Sequence, residues 1–177
     1  HGYTLREPLG VCGVIIPWNV PAVLTAANVA PALAAGNTVV LKPSEVAPLV
    51  AIEMAALAAE AGLPEGVLQV VTGDGVAGAA LSGHPGIDHV SFVGSTSTGR
   101  AVAAAAAANL VPAKLELGGK SANVVFADAD LDTAIPAIVG SITEDSGQNC
   151  YAGSRLLVAS AIADEVRDRV VAAMSTL

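Results

Sequence analysis

The sequence predicts an α/β protein: a Rossmann-like parallel sheet with helices on both faces, followed by the beginning of a second α/β domain. Short, fully apolar segments alternate with segments of helical periodicity, and most of them end at glycine, proline or hydroxyl-rich loops. Apolar runs of this kind are typical of strands buried on both faces, and their alternation with helices is typical of parallel sheets. Because such sheets bind ligands at the carboxyl ends of their strands, functional residues are expected in the loops that follow strands.

The predicted strands share short apolar runs bounded by turn-forming residues. They cover residues 11–16, 37–41, 67–71, 89–93, 114–117, 123–126 and 155–158. Pro17 stops the first strand, and Cys12 within it is expected to be a core residue. Residues 1–9 mix polar and apolar side chains, which predicts an edge strand or an arm.

The predicted helices follow these strands and carry apolar residues at helical spacing. They cover residues 21–35, 48–61, 100–109, 131–145 and 163–177, and a further helix follows the glycine-rich segment 73–78. Gly36 and Gly62 close the first two helices, as glycine commonly does. We expect Pro31 to interrupt the first helix, because proline lacks the N–H that an interior helical position needs.

The composition predicts a part of a larger protein. Hydrophobic residues make up 53% of the 177 residues and charged residues only 14%, whereas about 25% charged residues is ordinary for soluble domains. The sequence also begins at His1 rather than at a methionine and ends within a helical pattern. A domain boundary is predicted near Gly118, because strands flank the Gly118–Lys120 loop directly and the strand-helix pattern then restarts.

The charge balance excludes several classes of partner. Sixteen acidic residues against eight basic ones give a net charge of −8 without a basic cluster, which argues against nucleic-acid binding. No apolar run approaches the roughly 18 residues of a membrane span. The two cysteines and three histidines lack the spacing of a zinc site or a disulfide framework. We therefore predict a reducing, cytoplasmic location and no metal.

The segment Gly73–Gly78 matches the pattern G-x-G-x-x-G after a strand, which suggests a dinucleotide-binding loop. That pattern is normally completed by an acidic residue about 20 positions further on. Residues 91–98 contain no Asp or Glu. The favoured interpretation is therefore a turn that packs a helix against the sheet.

The segment Gly94–Gly99 has the outline of a phosphate-binding P-loop, but Arg100 and Ala101 replace the lysine and the hydroxyl residue that hold phosphate and Mg²⁺. Nucleotide hydrolysis is therefore not expected. A hydroxyl-rich helix start can still bind an anion such as a pyrophosphate. It can equally be an ordinary capped helix without a ligand, and both interpretations stay open.

Two further loops carry candidate residues. Lys42 and Glu45 follow a strand, so a cation and a carboxylate face the ligand-binding edge of the sheet, either as a solvated ion pair or as a pair that binds ribose hydroxyls. Cys150 follows Gly147 where a helical pattern ends, a position that can expose a reactive thiolate. By position alone, a small buried hydrophobe is the commoner role of such a cysteine.

Taken together, the loops resemble those of the aldehyde dehydrogenase superfamily over nearly the whole chain. The motifs are Pro17-Trp18-Asn19-Val20-Pro21, Leu41-Lys42-Pro43-Ser44-Glu45, Gly94-Ser95-Thr96-Ser97-Thr98-Gly99, Leu115-Glu116-Leu117-Gly118-Gly119-Lys120-Ser121 and Gly147-Gln148-Asn149-Cys150. Each motif alone is modest, but five in this order are strong evidence. The resemblance implies a dinucleotide-binding domain over residues 10–117 and the first part of a catalytic domain over residues 118–177.

The resemblance implies oxidation of an aldehyde to a carboxylic acid with NAD or NADP as hydride acceptor. It makes Cys150 the nucleophile that forms a thiohemiacetal and then a thioester. Asn19 and the backbone N–H of Cys150 hold the oxyanion. Glu116 activates the water that hydrolyses the thioester, a role for which we expect its carboxylate to be buried.

The resemblance also assigns residues to the cofactor. Lys42 and Glu45 bind the adenosine ribose, Gly94 and Ser95 the pyrophosphate, and Trp18 lies beside the cofactor. The other cofactor-binding residues of the motifs are Ser44, Gly99 and Leu117. Glu45 favours NAD, because a carboxylate repels the 2′-phosphate of NADP, although Lys42 leaves NADP possible.

The chain also departs from the family pattern. Asp145 stands where the family commonly has asparagine, and its carboxylate, with that of Glu144, would disfavour the thiolate of Cys150. Aromatic residues that often line the aldehyde path are absent just before this loop. Residues 1–9 resemble part of an oligomerisation arm, which implies a homodimer or homotetramer.

Because family members are more than twice as long, we expect the 177-residue chain alone to be inactive. Two alternatives remain. One is a relative in which coenzyme A rather than water resolves the thioester, against which Glu116 argues. The other is a non-catalytic nucleotide-binding fragment. NADH formation without coenzyme A would exclude the first alternative.

Overall fold

The computed structural model describes all 177 residues, which form two compact units. Unit 1 comprises His1–Leu117 and unit 2 comprises Gly118–Leu177. No helix in either unit is long and apolar enough to cross a membrane.

Unit 1 contains a parallel sheet of five strands in the order β3-β2-β1-β4-β5. The strands are β1 (Val11–Ile15), β2 (Thr38–Lys42), β3 (Leu68–Val70), β4 (His89–Gly94) and β5 (Ala113–Leu117). The chain moves outward from β1 through β2 to β3, and then returns to the other side of β1 with β4 and β5. This arrangement confirms the predicted fold class. It also places a topological switch point between β1 and β4, where open α/β sheets bind ligands.

Four helices cover the sheet of unit 1: α1 (Pro21–Ala34), α2 (Leu49–Glu60), α3 (Gly75–Ser82) and α4 (Thr96–Ala108). Helices α1 and α2 contact each other, as do α3 and α4. One core joins α1 and α2 to Val14, Val39 and Leu41 of the strands. A second core joins Leu81 of α3 and Val102 of α4 to Val90 and Phe92. The sheet is therefore buried on both faces, as its apolar strands require.

The structure corrects two local predictions in unit 1. Helix α1 continues through Pro31 instead of being interrupted there. Pro31 lies in the last turn, where it costs one hydrogen bond, and the Ala35 N–H still donates to its carbonyl at 3.1 Å. Of the two interpretations of residues 1–9, the edge strand is absent, and the arm stays a prediction, because these residues are exposed. The Leu9 and Gly10 N–H groups donate to the Asn37 side chain, at 2.6 and 3.0 Å, instead of to a strand.

Unit 2 contains two parallel strands and two helices. The strands are β6 (Ala122–Val125) and β7 (Arg155–Val158), and the helices are α5 (Leu131–Thr143) and α6 (Ala163–Met174). Val125, Ile135, Ile138 and Val166 form the core between the strands and the helices. The opposite face of the strands is exposed, with Val124 56% and Leu157 52% accessible.

Candidate functional site

A cavity of about 400 Å³ opens at the carboxyl edge of the sheet in unit 1. Its floor is formed by the ends of β1 and β4, and its walls by α3, α4 and the loop after β2. Six of the eight predicted cofactor-binding residues line it: Trp18, Lys42, Ser44, Glu45, Gly94 and Ser95. They come from loops distant in sequence that parallel strands bring to one edge. The cavity size lies within the range of small-molecule and cofactor pockets.

Lys42 and Glu45 form an ion pair at one side of the cavity, with 3.4 Å between Nζ and the Glu45 Oε2. The Lys42 side chain is 6% exposed and that of Glu45 is 55% exposed. The pKa of the Glu45 carboxyl is lowered, first by a hydrogen bond from its own backbone N–H and then by the Lys42 ammonium. A buried ammonium and an ionised carboxylate are thus held together, so the pair offers both donors and acceptors to a ligand in the cavity.

The N-terminus of α4 forms a second side of the cavity. The Ser95 hydroxyl caps this helix by accepting a hydrogen bond from the Thr98 N–H at 3.2 Å, and it also lies 2.9 Å from the Thr98 hydroxyl. The first N–H groups of a helix have no acceptor within the helix, and its dipole is positive at this end. The helix cap that was predicted as the alternative to a ligand site is therefore present. The helix start borders the cavity, however, and still suits an anionic group.

Gly99 and Leu117 do not line the cavity; they pack against each other behind it. A Cβ atom at Gly99 would lie 2.5 Å from Cδ2 of Leu117. Leu117 is the last residue of β5 and Gly99 lies in the first turns of α4. Glycine at this position therefore allows α4 to approach the end of β5 closely.

The part of the cavity wall that α3 forms was not predicted from the sequence. Gly75, Gly78 and Ala79 of α3 line the cavity opposite Ala101 and Ala105 of α4. For the glycine-rich segment, a turn that packs a helix is favoured over a dinucleotide-binding loop, and the Asp74 carboxylate does cap α3 by accepting from the Val76 N–H at 2.9 Å. The signal was the run of small residues on both helices, which leaves space between them.

Asn19 lies in the bend between β1 and α1 and is half-buried. It follows Trp18, which lines the cavity and is 48% exposed. The Trp18-Asn19 pair is therefore positioned by the end of β1, at the same edge of the sheet as the cavity.

Glu116 lies on the face of β5 opposite Leu115 and Leu117, which pack into the core against α4. Its side chain is 57% exposed, and its Oε1 lies 3.8 Å from Nζ of Lys114. The expectation that this carboxylate is buried was therefore wrong for this chain. The physical reason is that α4 packs on the face of β5 that carries Leu115 and Leu117, whereas Lys114 and Glu116 point to the other face and are exposed.

Cys150 lies in unit 2, in the loop between α5 and β7, and is exposed; Cys12 is the buried cysteine. Helix α5 ends at Thr143 rather than at Asp145 as predicted. Asp145 and Ser146 have left-handed φ angles of 48° and 59° and therefore cannot continue an α-helix. Gly147 follows with a φ of 75°, and a Cβ atom there would lie 2.9 Å from the Ile142 carbonyl oxygen.

Carboxylates dominate the electrostatics of the Cys150 loop. The pKa of the Tyr151 phenol is raised, mainly by the Glu144 carboxylate, with smaller contributions that include Asp145 and Cys150. Glu144, Asp145 and Cys150 therefore all lie within electrostatic reach of the Tyr151 phenol. An exposed thiol in such a loop can act as a nucleophile.

Comparison with known proteins assigns the chain to a family. The profile of the aldehyde dehydrogenase family matches residues 1–177. Aldehyde dehydrogenase 1 of Tanacetum cinerariifolium is 56% identical over 93% of this chain and 33% of its own length. Human retinal dehydrogenase 2 is 50% identical over 96% of this chain and 33% of its own length. The chain thus spans about a third of the length of the curated relatives it matches.

Solved structures give the same result. The NAD-dependent aldehyde dehydrogenase of Sinorhizobium meliloti is 44% identical and superposes with a TM-score of 0.92, covering 95% of this chain and 34% of the other. The aldehyde dehydrogenase of Bacillus cereus in its NAD⁺ complex is 46% identical with a TM-score of 0.90, covering 94% of this chain and 34% of the other. By sequence and by fold, this chain belongs to the aldehyde dehydrogenase family.

Proposed function

We propose that the whole protein to which this chain belongs oxidises an aldehyde to a carboxylic acid with NAD as the hydride acceptor. The observation that carries the proposal is the cavity of unit 1, into which three separate loops bring six predicted cofactor-binding residues. Family membership and the NAD⁺ complex of the Bacillus cereus relative support it.

The residues of the cavity suit a dinucleotide. Lys42 and Glu45 offer a donor and an acceptor at 3.4 Å from each other, which matches the two adjacent hydroxyls of a ribose. The start of α4 at Ser95 suits the pyrophosphate, because backbone N–H groups and the helix dipole both favour an anion there. NAD, when bound, supplies the acceptor for the hydride. The Glu45 carboxylate disfavours a 2′-phosphate, so NAD is preferred over NADP.

Three side chains carry out the reaction on the aldehyde. The Cys150 thiolate attacks the aldehyde carbon and forms a thiohemiacetal, whose oxyanion accepts hydrogen bonds from the Asn19 amide and the Cys150 N–H. Removing one such donor typically costs about 3 kcal/mol of transition-state stabilisation. Loss of hydride converts the adduct to a thioester. Glu116 then takes a proton from the water that attacks the thioester carbonyl, and Cys150 leaves with release of the acid.

The test is NADH formation by the whole protein with a panel of aldehydes, without coenzyme A, together with detection of the carboxylic acid. We expect stoichiometric NADH and acid from at least one aldehyde, and no turnover by the 177-residue chain alone. A strict requirement for coenzyme A, with an acyl-coenzyme A product, would refute the hydrolytic reaction. Turnover by the chain alone would refute the expectation that it is inactive.

The protein is further proposed to be cytoplasmic and a homodimer or homotetramer. A relative from Elephantulus edwardii is named as a cytosolic aldehyde dehydrogenase, and residues 1–9 form an exposed segment that resembles an oligomerisation arm. Light scattering of the whole protein and of a variant lacking residues 1–9 tests the second proposal, since loss of the arm is expected to lower the oligomer mass.

A further inference from the structure

Lys114 and Glu116 lie two residues apart on the same face of β5, as alternate residues of a strand do. Nζ of Lys114 is 3.8 Å from Oε1 of Glu116. In the register of the sheet, Ser91 is opposite Lys114 and Val93 is opposite Glu116. Strand β4 therefore supplies Glu116 with an apolar neighbour, and the ion-pair partner of the carboxylate comes from its own strand.

Lys42 and His89 also belong to unit 1, but neither is paired with Glu116. Lys42 pairs with Glu45 at the cavity. His89 lies on the same face of the sheet as Lys114, and burial, followed by the charge of Lys114, lowers the pKa of its imidazole. Lys114 therefore supplies the positive charge beside Glu116.

We propose that Lys114 is a positioning residue that holds the Glu116 carboxylate in a resting ion pair and thereby restrains hydrolysis of the acyl-enzyme. The inference rests on the proposed role of Glu116 as the base for that step. In the step, Glu116 accepts a proton from water and loses its negative charge. The water oxygen bonds to the thioester carbon, the C–S bond breaks, and Cys150 leaves as the thiolate.

The direction of the effect follows from the charges. The ion pair stabilises the carboxylate before it reacts, but it gives no attraction once the carboxyl is protonated. The carboxylate must also leave Lys114 to reach a water molecule. Removing the ammonium therefore accelerates hydrolysis. Both side chains are half exposed, so the acceleration is about two- to fivefold, the range that a solvent-exposed ion pair supports.

The experiment isolates hydrolysis from hydride transfer by acylating the whole protein with p-nitrophenyl acetate. The burst of p-nitrophenolate measures acylation of Cys150 and counts the folded active sites, and the steady-state rate measures hydrolysis of the acetyl-enzyme. The variants are Lys114→Met, Lys114→Arg, Glu116→Gln and the double variant Lys114→Met/Glu116→Gln. Arg6→Gln removes one exposed positive charge elsewhere in unit 1 and is the charge-matched control.

We expect Lys114→Met to raise the hydrolysis rate about two- to fivefold with an unchanged burst, and Lys114→Arg and Arg6→Gln to leave it unchanged. Added KCl should accelerate the unsubstituted protein but not Lys114→Met, since salt screens exposed charges. In the Glu116→Gln background, Lys114→Met should have no effect.

Two results would overturn the proposal in distinguishable ways. An unchanged or lower hydrolysis rate in Lys114→Met, while Glu116→Gln is slow, would remove the restraining role of Lys114 and leave Glu116 as the base. Normal hydrolysis by Glu116→Gln would refute the base assignment itself, and the role of Lys114 would fail with it.

Discussion

The two units differ in how completely each buries its own apolar residues. Unit 1 covers both faces of its sheet, and Val14, Leu41 and Val90 are almost fully buried. Unit 2 covers one face of its two strands and leaves Val124 and Leu157 more than half exposed. Unit 1 thus forms its cavity from its own residues, whereas unit 2 leaves Cys150, the proposed nucleophile, exposed. Cofactor binding and thiol chemistry should therefore respond to different substitutions.

Lys42→Met is expected to weaken NAD binding more than any other substitution in unit 1 considered below. Methionine fills the space of the buried side chain but removes a charged hydrogen-bond donor, which is worth about 1.5–3 kcal/mol in contacts of this kind. We expect the dissociation constant of NAD to rise about 10- to 100-fold by calorimetric titration of the whole protein. The matched control is Lys120→Met, which removes an exposed lysine of unit 2 and should leave NAD affinity within about twofold.

Lys42→Met should not change the reactivity of the Cys150 thiol. Cys12 is buried, so iodoacetamide reacts selectively with Cys150. If iodoacetamide alkylates Lys42→Met and the unsubstituted protein at the same rate, cofactor binding and thiol reactivity depend on different residues. A large change in alkylation rate would contradict the separation.

Gly99→Ala tests how closely α4 must approach β5 beside the cavity. The added methyl group would lie 2.5 Å from Leu117, so we expect a loss of about 1–3 kcal/mol in the free energy of unfolding, measured with urea. Gly140→Ala is the matched control, because Gly140 also lies within a helix and has nothing within 4 Å of the new methyl group. Alanine there should stabilise the helix by about 0.5–1 kcal/mol. Equal effects of the two substitutions would show that the contact with Leu117 is unimportant.

Glu45→Gln tests whether the Glu45 carboxylate makes the cavity of unit 1 prefer NAD over NADP. It removes the carboxylate that lies 3.4 Å from Lys42 and leaves an amide of the same size. We expect NADP to gain about fivefold in affinity relative to NAD, because the repulsion of the 2′-phosphate is lost in a solvent-exposed setting. Titration with both cofactors measures the ratio. A ratio that does not change would exclude Glu45 as the discriminating residue.

Asp145→Asn has the smallest expected effect and concerns unit 2. Asparagine tolerates the left-handed φ of 48° at this position, so the substitution changes the charge and keeps the turn. We expect iodoacetamide to alkylate Cys150 about twofold faster near neutral pH, because one nearby negative charge is lost. Asp128→Asn removes an exposed carboxylate from another turn of unit 2 and serves as the control. An effect of the same size in both variants would indicate a general charge effect instead of a local one.

The elements that could be predicted from the sequence are those marked by residues that are neighbours in the chain. The apolar strands, the order of the loops and the residues after β2 and β4 were all identifiable, because strand ends and turn residues lie next to each other in the chain. The α3 wall was missed because it depends on small residues from two helices that meet only in the fold. The burial of Glu116 was mispredicted because the sequence of a strand does not reveal which of its faces another element covers.

The backbone conformation of the Cys150 loop could not be predicted from the sequence either. The helical pattern extends to Asp145, but α5 ends at Thr143 and two non-glycine residues adopt left-handed angles before Gly147. In the sequence, Gly147 is the only residue that marks this turn. The structure gives the reason for glycine there, since a Cβ atom would lie 2.9 Å from the Ile142 carbonyl oxygen.

Cys150→Ser in the whole protein, assayed for both aldehyde oxidation and NAD binding, tests most directly whether Cys150 is the nucleophile and whether NAD binds in unit 1. We predict that NADH formation falls at least about 1,000-fold, because a serine hydroxyl is a far weaker nucleophile than a thiolate at neutral pH. We also predict that the dissociation constant of NAD stays within about twofold, since the cavity of unit 1 contains no part of the Cys150 loop. Retained oxidation, or loss of NAD binding together with oxidation, would contradict the assignment of nucleophile and cofactor site to different units.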